Sequence, residues 1–463
     1  MTLIKSISGI RGTIGGKPNE GLSPVDVVRF TSAYGTWLKS YSKNTEKLKV
    51  VIGRDARISG EMVTNLVTGT LQGLGIDVID LGLSTTPTVE VAVPMENADG
   101  GIILTASHNP KQWNALKLLN EKGEFISAQD GADLLAIAEE NAFNYADVDN
   151  LGNCTKDDSY LDKHIQSILD MDLVNVEAIK SKNYKVAIDC VNSTGGIFLP
   201  ALLKALGVTN IIELYCEPNG QFPHNPEPLP ENLTEISNQI KAQGADVGFV
   251  VDPDVDRLCM VCENGDMFGE EYTLVAIADY VLKHTPGNTV SNLSSTRALR
   301  DVTEKNGGEY FASAVGEVNV VNMMKAKNAV IGGEGNGGVI YPDSHYGRDS
   351  LVGIALFLSH FATSGLDSCT ALRATYPDYY ISKNKIELTP EIDVDNVLVK
   401  MAEKYANEDV NDIDGVKINF AEEWVHLRKS NTEPIIRIYS ESKSMEAADT
   451  LAQQIISDIK GFI

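Results

Sequence analysis

The chain has 463 residues, 43% of them apolar and 22% charged. That balance supplies several hydrophobic cores and excludes a disordered polymer or a disulfide miniprotein. Acidic residues outnumber basic ones 64 to 39, a net charge of -25. A surface this acidic repels nucleic acid and anionic membranes, and a phosphorylated ligand requires a local cluster of arginines. No nucleic-acid or membrane partner is therefore expected. The N-terminus lacks a signal-peptide apolar core, and the apolar run 352–361 is too short to span a bilayer. The expected location is cytoplasmic.

In chain order, Lys49-Val-Val-Ile-Gly53 reads as a buried strand. A helix is predicted from Gly60, with Ser59 as N-cap and Met62, Val63, Leu66, Val67, Leu71 and Leu74 on one stripe. Gly75 stops it, and 76–81 is the next strand, completing a βαβ unit. The pattern returns as a strand at 185–189, a helix at 198–206 and a strand at 211–214. It returns again, more weakly, at 288–293, 297–305 and 308–312. The last ninety residues differ: 416–420, 423–428 and 435–439 read as antiparallel strands, and 445–459 as a closing amphipathic helix. The expectation is three similar α/β domains with mixed sheets plus a smaller α+β C-terminal domain, divided as 1–150, 151–260, 261–372 and 373–463. The polar stretches 147–158 and 373–386 are the expected linkers.

Six cysteines at uneven intervals do not form a disulfide framework in a chain of this length. Cys259 and Cys262 spell C-x-x-C, but they lie in an apolar strand-like run with no second pair, so they read as buried thiols.

Four segments carry candidate chemistry. In Gly248-Phe-Val-Val-Asp252-Pro-Asp254-Val-Asp256-Arg257 an apolar strand delivers three alternating carboxylates into a loop. Such density is costly without a hard divalent cation. An EF-hand is excluded because Arg257 occupies the position that turns at glycine, between flanks that are strands. A phosphatase of the haloacid-dehalogenase type also begins with a strand ending in D-x-D and stays the alternative, although it expects threonine or valine where Asp256 stands. In Gly101-Ile-Ile-Leu-Thr-Ala-Ser107-His108-Asn109-Pro110 a strand ends at an exposed serine before a forced turn, a place suited to a nucleophile or phosphoryl carrier. In Gly332-Gly-Glu334-Gly-Asn336-Gly-Gly338, glycines let backbone approach a ligand while Glu334 and Asn336 offer groups for sugar hydroxyls. In Arg428-Lys-Ser430-Asn431-Thr432-Glu-Pro434, with Arg437 beyond, a loop between strands offers what a phosphate dianion needs.

Together, in this order, the four segments resemble the α-D-phosphohexomutase family, as do Ser8-Gly-Ile-Arg11-Gly-Thr13 and Gly53-Arg-Asp55-Ala-Arg57-Ile-Ser59-Gly60. The resemblance implies four domains around a central cleft, each giving one loop. It implies that Ser107 carries the catalytic phosphoryl group and that Asp252, Asp254 and Asp256 bind Mg2+, with Ser107 completing the set. Lys117 would act in proton transfer, with Arg11, Arg257 and His108 also in the catalytic group. Glu334 and Asn336 would recognise the sugar, and Arg428, Ser430, Asn431, Thr432 and Arg437 the substrate phosphate. The implied reaction exchanges phosphate between C1 and C6 of a hexose through a bound hexose 1,6-bisphosphate. A phosphoglucosamine mutase is favoured over a broad phosphoglucomutase/phosphomannomutase. A metal-dependent sugar phosphatase or a non-catalytic sugar-phosphate binding protein are the readings from other classes. The partners implied are hexose phosphates, in a monomer or homodimer. The chain departs from many bacterial members, which read Glu-x-Ser-Gly-His where Glu334-Gly-Asn-Gly-Gly338 stands. His345 is the nearest candidate to replace that histidine.

Overall fold

Alternation along the first predicted strand decides how its sheet is covered. In the computed structural model, which describes residues 2–6, 9–42, 47–389, 392–429 and 435–462, Val50 and Ile52 join one core cluster with Phe30, Tyr34, Val63, Val67 and Leu71. Val51, on the opposite face, joins a second with Val89, Val93 and Ile103. Period-two apolar residues on both faces place helices on both sides of the sheet. Seven strands build it: β1 (Ile4–Ser6), β2 (Gly9–Thr13), β3 (Lys49–Arg54), β4 (Asp77–Leu83), β5 (Gly100–Leu104), β6 (Trp113–Leu119) and β7 (Cys154–Lys156). Their order is β1-β2-β6-β5-β3-β4-β7. β3, β4, β5 and β7 run parallel, and β6 and β2 run antiparallel to their neighbours. The sheet is mixed, as expected.

The second sheet has β8 (Lys185–Asp189), β9 (Asn210–Leu214), β10 (Val247–Val251) and β11 (Leu258–Cys262) in the order β11-β10-β8-β9. β8 is parallel to β9 and β10, and β11 returns antiparallel. Cys259 and Cys262 are buried free thiols in β11. By its internal contacts the chain forms two units, Met1–Thr273 with Asn336–Arg373, and Leu274–Gly335 with Ala374–Ile463. Both sheets above belong to the first unit. So does the apolar helix Ser350–Thr363, which is buried from Ser350 to Ala362 and packs Phe357 edge-on against Phe249 and Phe268. A helix apolar all round is a core helix, and no helix among the described residues is long and apolar enough to cross a membrane.

In the second unit the strand Asn288–Asn292 runs parallel to Tyr310–Ser313 and Ala329–Glu334. An antiparallel five-stranded sheet follows, made of Tyr380–Glu387, Ile435–Ser442, Trp424–Lys429, Val416–Asn419 and Asp409–Asn411 in spatial order. The helices Val394–Lys404 and Met445–Lys460 bring Val397, Leu398, Met401, Leu451 and Ile455 onto its core. Arg297 ties the two parts of this unit. Its backbone N–H donates to Glu441 Oε1 (3.0 Å), and its guanidinium donates to the carbonyls of Phe420, Ala421 and Glu423.

Three local expectations are corrected. The stretch 147–158 is not a plain linker, because Cys154–Lys156 pairs in parallel with β4 as an edge strand. Nor is 373–386, since Tyr380–Glu387 pairs along its full length with Ile435–Ser442. Ser59 precedes the helix Gly60–Gly73 but makes no side-chain cap; its hydroxyl accepts from Asn114 Nδ2 (2.9 Å) instead.

Candidate active site

β3 and β5 are parallel neighbours in the register Arg54↔Leu104, so the loops leaving their C-terminal ends lie side by side. In parallel α/β sheets ligands collect at those ends. The loop after β3 supplies Asp55 and Arg57, and the loop after β5 supplies Thr105 and Ser107. Arg57, 1% exposed, spends all five of its N–H donors there. Nε binds Asp55 Oδ2 (3.0 Å), and Nη1 binds the carbonyls of Pro110 (2.7 Å) and Trp113 (3.0 Å). Nη2 binds the carbonyls of Ser107 and Asn109. Asp55 also accepts from the Thr105 hydroxyl (2.7 Å). Around this clamp Ser107 adopts a left-handed φ of 49°, a conformation that costs a non-glycine residue about 1–2 kcal/mol. Its N–H donates to Thr105 Oγ1 (2.9 Å).

The loop after β10 carries the three aspartates, each fully buried. Ser107 Oγ donates to Asp252 Oδ2 at 2.6 Å. Lys117, on β6 opposite Ile103 in register, donates to Asp254 Oδ2 (2.7 Å) and Asp256 Oδ2 (3.0 Å). Thr86, which opens the helix Thr86–Met95, donates its hydroxyl to Asp254 Oδ2 and its N–H to the Asp254 carbonyl. Ser193 and Thr194 hydroxyls hold the Pro253 carbonyl. Arg348 Nη2 reaches Asp256 Oδ2 at 2.8 Å.

Electrostatics separate the three carboxyls. Burial, reinforced by Asp254 and Asp256, pushes the Asp252 carboxyl well up. Burial acts on Asp256 in the same sense, but Arg348, Lys117 and Arg257 outweigh it and hold that carboxyl well down. Burial alone would lower the Lys117 ammonium, yet Asp254 and then Asp256 drive it up. Ligand atoms of the three aspartates lie within 4.8 Å of one another. Asp254 Oδ1 and Asp256 Oδ1 are buried with no hydrogen-bond partner among the described residues. Converging hard oxygens with unused lone pairs fit a divalent cation.

The remaining catalytic candidates lie in the same unit. His108 Nδ1 is 3.4 Å from Ser107 Oγ. Burial, then Arg257, holds its imidazole down to about 2, so it is neutral at neutral pH. Arg257 Nη1 stands 3.5 Å from Glu227. Burial and the neighbouring Arg257 lower Arg11. Nε of both arginines is buried without a partner among the described residues. Asn336 Oδ1 accepts from the Gly338 N–H (3.2 Å).

The other candidates belong to the second unit. Glu334 is buried at the end of its strand, its Oε1 accepting from Asn292 Nδ2 (2.8 Å) and the Gly316 N–H (3.2 Å). Arg428 pairs with Asp414 (3.0 Å) and stands directly opposite Arg437 in register. Ser430, Asn431 and Thr432 lie outside the described residues. His345 does not take the vacant place of a sugar-loop histidine, because it is turned inward between Glu90 (3.4 Å) and Asp349 (3.3 Å). That histidine's position is Gly338, where a Cβ would meet Arg348 Cδ at 2.3 Å. Arg348 thus fills the space.

Sequence reasoning missed Arg348, Thr86, Glu227 and the role of Arg57. Only Arg57 had a signal, lying inside a quoted motif. The partners of the others are tens of residues or more away in the chain.

Such a fold, with a clamped serine hydrogen-bonded into a buried aspartate triad, defines an α/β enzyme of phosphoryl transfer. Comparison with known proteins narrows the class. Residues 3–145, 158–265 and 269–379 match alpha/beta/alpha domains I, II and III of phosphoglucomutase/phosphomannomutase, and 391–457 match its C-terminal domain. The chain belongs to this family, the α-D-phosphohexomutases. It is 37% identical to a phosphoglucomutase/phosphomannomutase of Thermococcus kodakarensis, covering 94% of this chain and 95% of the relative. It is 31% identical to a phosphoglucosamine/phosphogalactosamine mutase of Sulfurisphaera tokodaii, covering 98% of each. A crystal structure of a phosphoglucomutase/phosphomannomutase family protein from Burkholderia thailandensis superposes with a TM-score of 0.85 at 26% identity, over 100% of this chain and 98% of that one.

Proposed function

We propose that this chain is a phosphohexomutase that interconverts hexose 6-phosphate and hexose 1-phosphate through a phosphoserine at Ser107, with a hexosamine phosphate as its preferred substrate. The observation that carries the reading is the Ser107 hydroxyl, fixed by the Arg57 clamp 2.6 Å from Asp252. In the forward half-reaction the P–Oγ bond at Ser107 breaks and a P–O bond to the free sugar hydroxyl forms. Lys117, an ammonium between Asp254 and Asp256, would give a proton to Ser107 Oγ as that bond breaks and then take up the proton that the sugar hydroxyl loses, and the restored Ser107 hydroxyl donates to Asp252. The bound hexose 1,6-bisphosphate turns end for end and returns its other phosphoryl group, so atoms and charge balance over the cycle.

Mg2+ is the proposed occupant of Asp252, Asp254 and Asp256, and when bound it supplies charge neutralisation to the transferring phosphoryl group. Lys117 is assigned to proton transfer; Arg11 and Arg257, with Nε groups free of partners among the described residues, are assigned to the phosphoryl oxygens. His108, neutral beside Ser107, is assigned to shaping that pocket. Glu334 and Asn336 are assigned to sugar hydroxyls. Arg428 and Arg437, with Ser430, Asn431 and Thr432, are assigned to the distal phosphate. Support for the last comes from Arg428 and Arg437 facing each other across strands. Like charges directly opposite are unfavourable; Asp414 offsets Arg428, and a phosphate anion at the pair would offset both arginines.

Intact mass of the purified protein and of Ser107→Ala tests the carrier. One added phosphate that disappears in the variant is expected, together with isomerisation and no net phosphate release. Stoichiometric release of inorganic phosphate without isomerisation would establish a phosphatase instead. Coupled assays on glucosamine, glucose and mannose 6-phosphates rank the substrates, and equal rates would remove the hexosamine preference.

A further inference from the structure

Within the first unit, a buried cluster of titratable groups stands apart from the aspartate triad. The residues 341–347 form an excursion closed at its base by the bridge Ile340↔Arg348 and by the Asp349 N–H on the Val339 carbonyl (2.9 Å). At its tip, His345 has both ring nitrogens against carboxylates: Nδ1 is 3.4 Å from Glu90 Oε2, on the helix Thr86–Met95, and Nε2 is 3.3 Å from Asp349 Oδ2. The Nε2–Asp349 contact is a hydrogen bond, and on the other side the ring stands at ion-pair distance from Glu90.

Asp349 is the hub. Its Oδ1 caps the helix Ser350–Thr363 through the N–H groups of Leu351 and Val352. Its Oδ2 also takes Nε2 of His164 (3.0 Å), whose Nδ1 meets Thr88 Oγ1 (2.8 Å). Burial would raise the Asp349 carboxyl, but His164 and then His345 hold it well down. The packing leaves no slack. A Cβ on Gly347 would lie 2.0 Å from Glu90 Oε2, and one on Gly338 would lie 2.3 Å from Arg348 Cδ. Arg348 therefore packs its side chain against Gly338, with its guanidinium on Asp256 (2.8 Å).

We propose that Arg348 is the side chain that keeps Asp256 neutralised during phosphoryl transfer, and that His345, gripped between Glu90 and Asp349, is its positioning residue. The inference rests on the phosphoryl-transfer reading of the same site. Asp256 carries charge from both Lys117 and Arg348. The Lys117 donor sits on a strand, whereas the Arg348 donor sits at the bridged base of the excursion, next to Asp349, on which the excursion's tip is held. His345 supplies that hold.

The test is a double-mutant cycle read in two ways. Arg348→Gln lowers kcat by at least 100-fold with KM within threefold, and His345→Gln lowers kcat about tenfold. The double variant is no slower than Arg348→Gln alone, because His345 acts only through Arg348. Mn2+ affinity, titrated by electron paramagnetic resonance without substrate, follows the same pattern. Binding tightens in each single variant as cationic competition at the triad is removed, with no further gain in the double. Multiplied losses in kcat, or a His345→Gln variant at wild-type rate, would overturn the proposal. Should His345→Gln fail to fold, Glu90→Gln in wild-type and Arg348→Gln backgrounds completes the same cycle. A wild-type protein without isomerase activity defeats the proposed function, while the Mn2+ cycle still decides the role of His345.

Discussion

Arg57→Lys isolates what the serine clamp contributes, because it keeps the buried charge and removes the fork. The guanidinium makes five hydrogen bonds, four to carbonyls of the 107–113 loop and one to Asp55. A lysine has three donors on a single atom, so at least two of the five acceptors lose their partner. At about 1.5–3 kcal/mol per hydrogen bond to a charged group, the loss is at least about 3 kcal/mol. That equals roughly a 100-fold shift toward an open loop, since about 1.4 kcal/mol is a factor of ten. Hydrogen exchange followed by mass spectrometry reads this locally. The Ser107, Asn109 and Trp113 amides, bonded to Thr105 Oγ1, Ala106 O and Pro110 O, should exchange about 100-fold faster. Amides within β3 and β5 should keep wild-type protection, and the phosphorylated fraction in the intact mass should fall. Exchange within threefold of wild type across 105–113 would refute the claim that Arg57 holds Ser107 in its left-handed conformation.

Two other outcomes follow from the charges. Lys117→Met leaves Asp254 and Asp256 without their shared ammonium; kcat should drop at least about 100-fold, the lower range for a lost acid–base group, while Mn2+ binds roughly tenfold more tightly, and unchanged Mn2+ affinity would show that Lys117 does not compete for these oxygens. His426, buried with Nδ1 on Ser294 Oγ and Nε2 on the Asp414 carbonyl, is held down to about 4 by burial first. Its folded value lies below its unfolded one, so the stability it contributes is complete above about 6.5 and is lost as pH falls toward about 4, up to about 3 kcal/mol. Urea unfolding followed by tryptophan fluorescence should show this acid loss in wild type and a flatter profile in His426→Gln, and identical profiles would remove His426 as its source.

What was legible in the sequence was local. Strands 185–189 and 416–419 announce themselves as short runs buried on both faces, and the stripe from Met62 to Leu74 as one buried helix face. Edge strands do not. Cys154–Lys156 is exposed throughout and is a strand only because β4 offers it a backbone partner. Tyr380–Glu387 has just one buried residue, Ser382. At the candidate site, the serine and aspartate loops were readable because each is a short continuous segment following an apolar strand. Arg348 was not, since its meaning depends on Asp256, 92 residues away, and on the missing side chain at Gly338. His345 was misread for the same reason: nearness in sequence to the glycine-rich run pointed it at the sugar, whereas Glu90 and Asp349 hold it turned inward.

The charges around Ser107 would also let so acidic a chain accommodate the proposed phosphoryl group. Asp55, Asp252, Asp254 and Asp256 are fully buried. Arg57, Lys117 and Arg348 bond them directly, and Arg257 acts on Asp252 and Asp256 from the same loop. A phosphoserine brings about -1.5 to -2, and a divalent cation brings the opposite amount. Either alone would leave an uncompensated charge in a low-dielectric interior, where it costs several kcal/mol. Together they enter as a neutral pair and leave the existing ion pairs in place. On the proposed function, phosphorylation of Ser107 and occupancy of the triad would therefore be coupled. Stripping the cation from phosphorylated protein with a chelator should raise the rate of phosphoserine hydrolysis or lower the thermal midpoint, whereas the Ser107→Ala protein, which has no phosphoryl group to leave unbalanced, should respond far less.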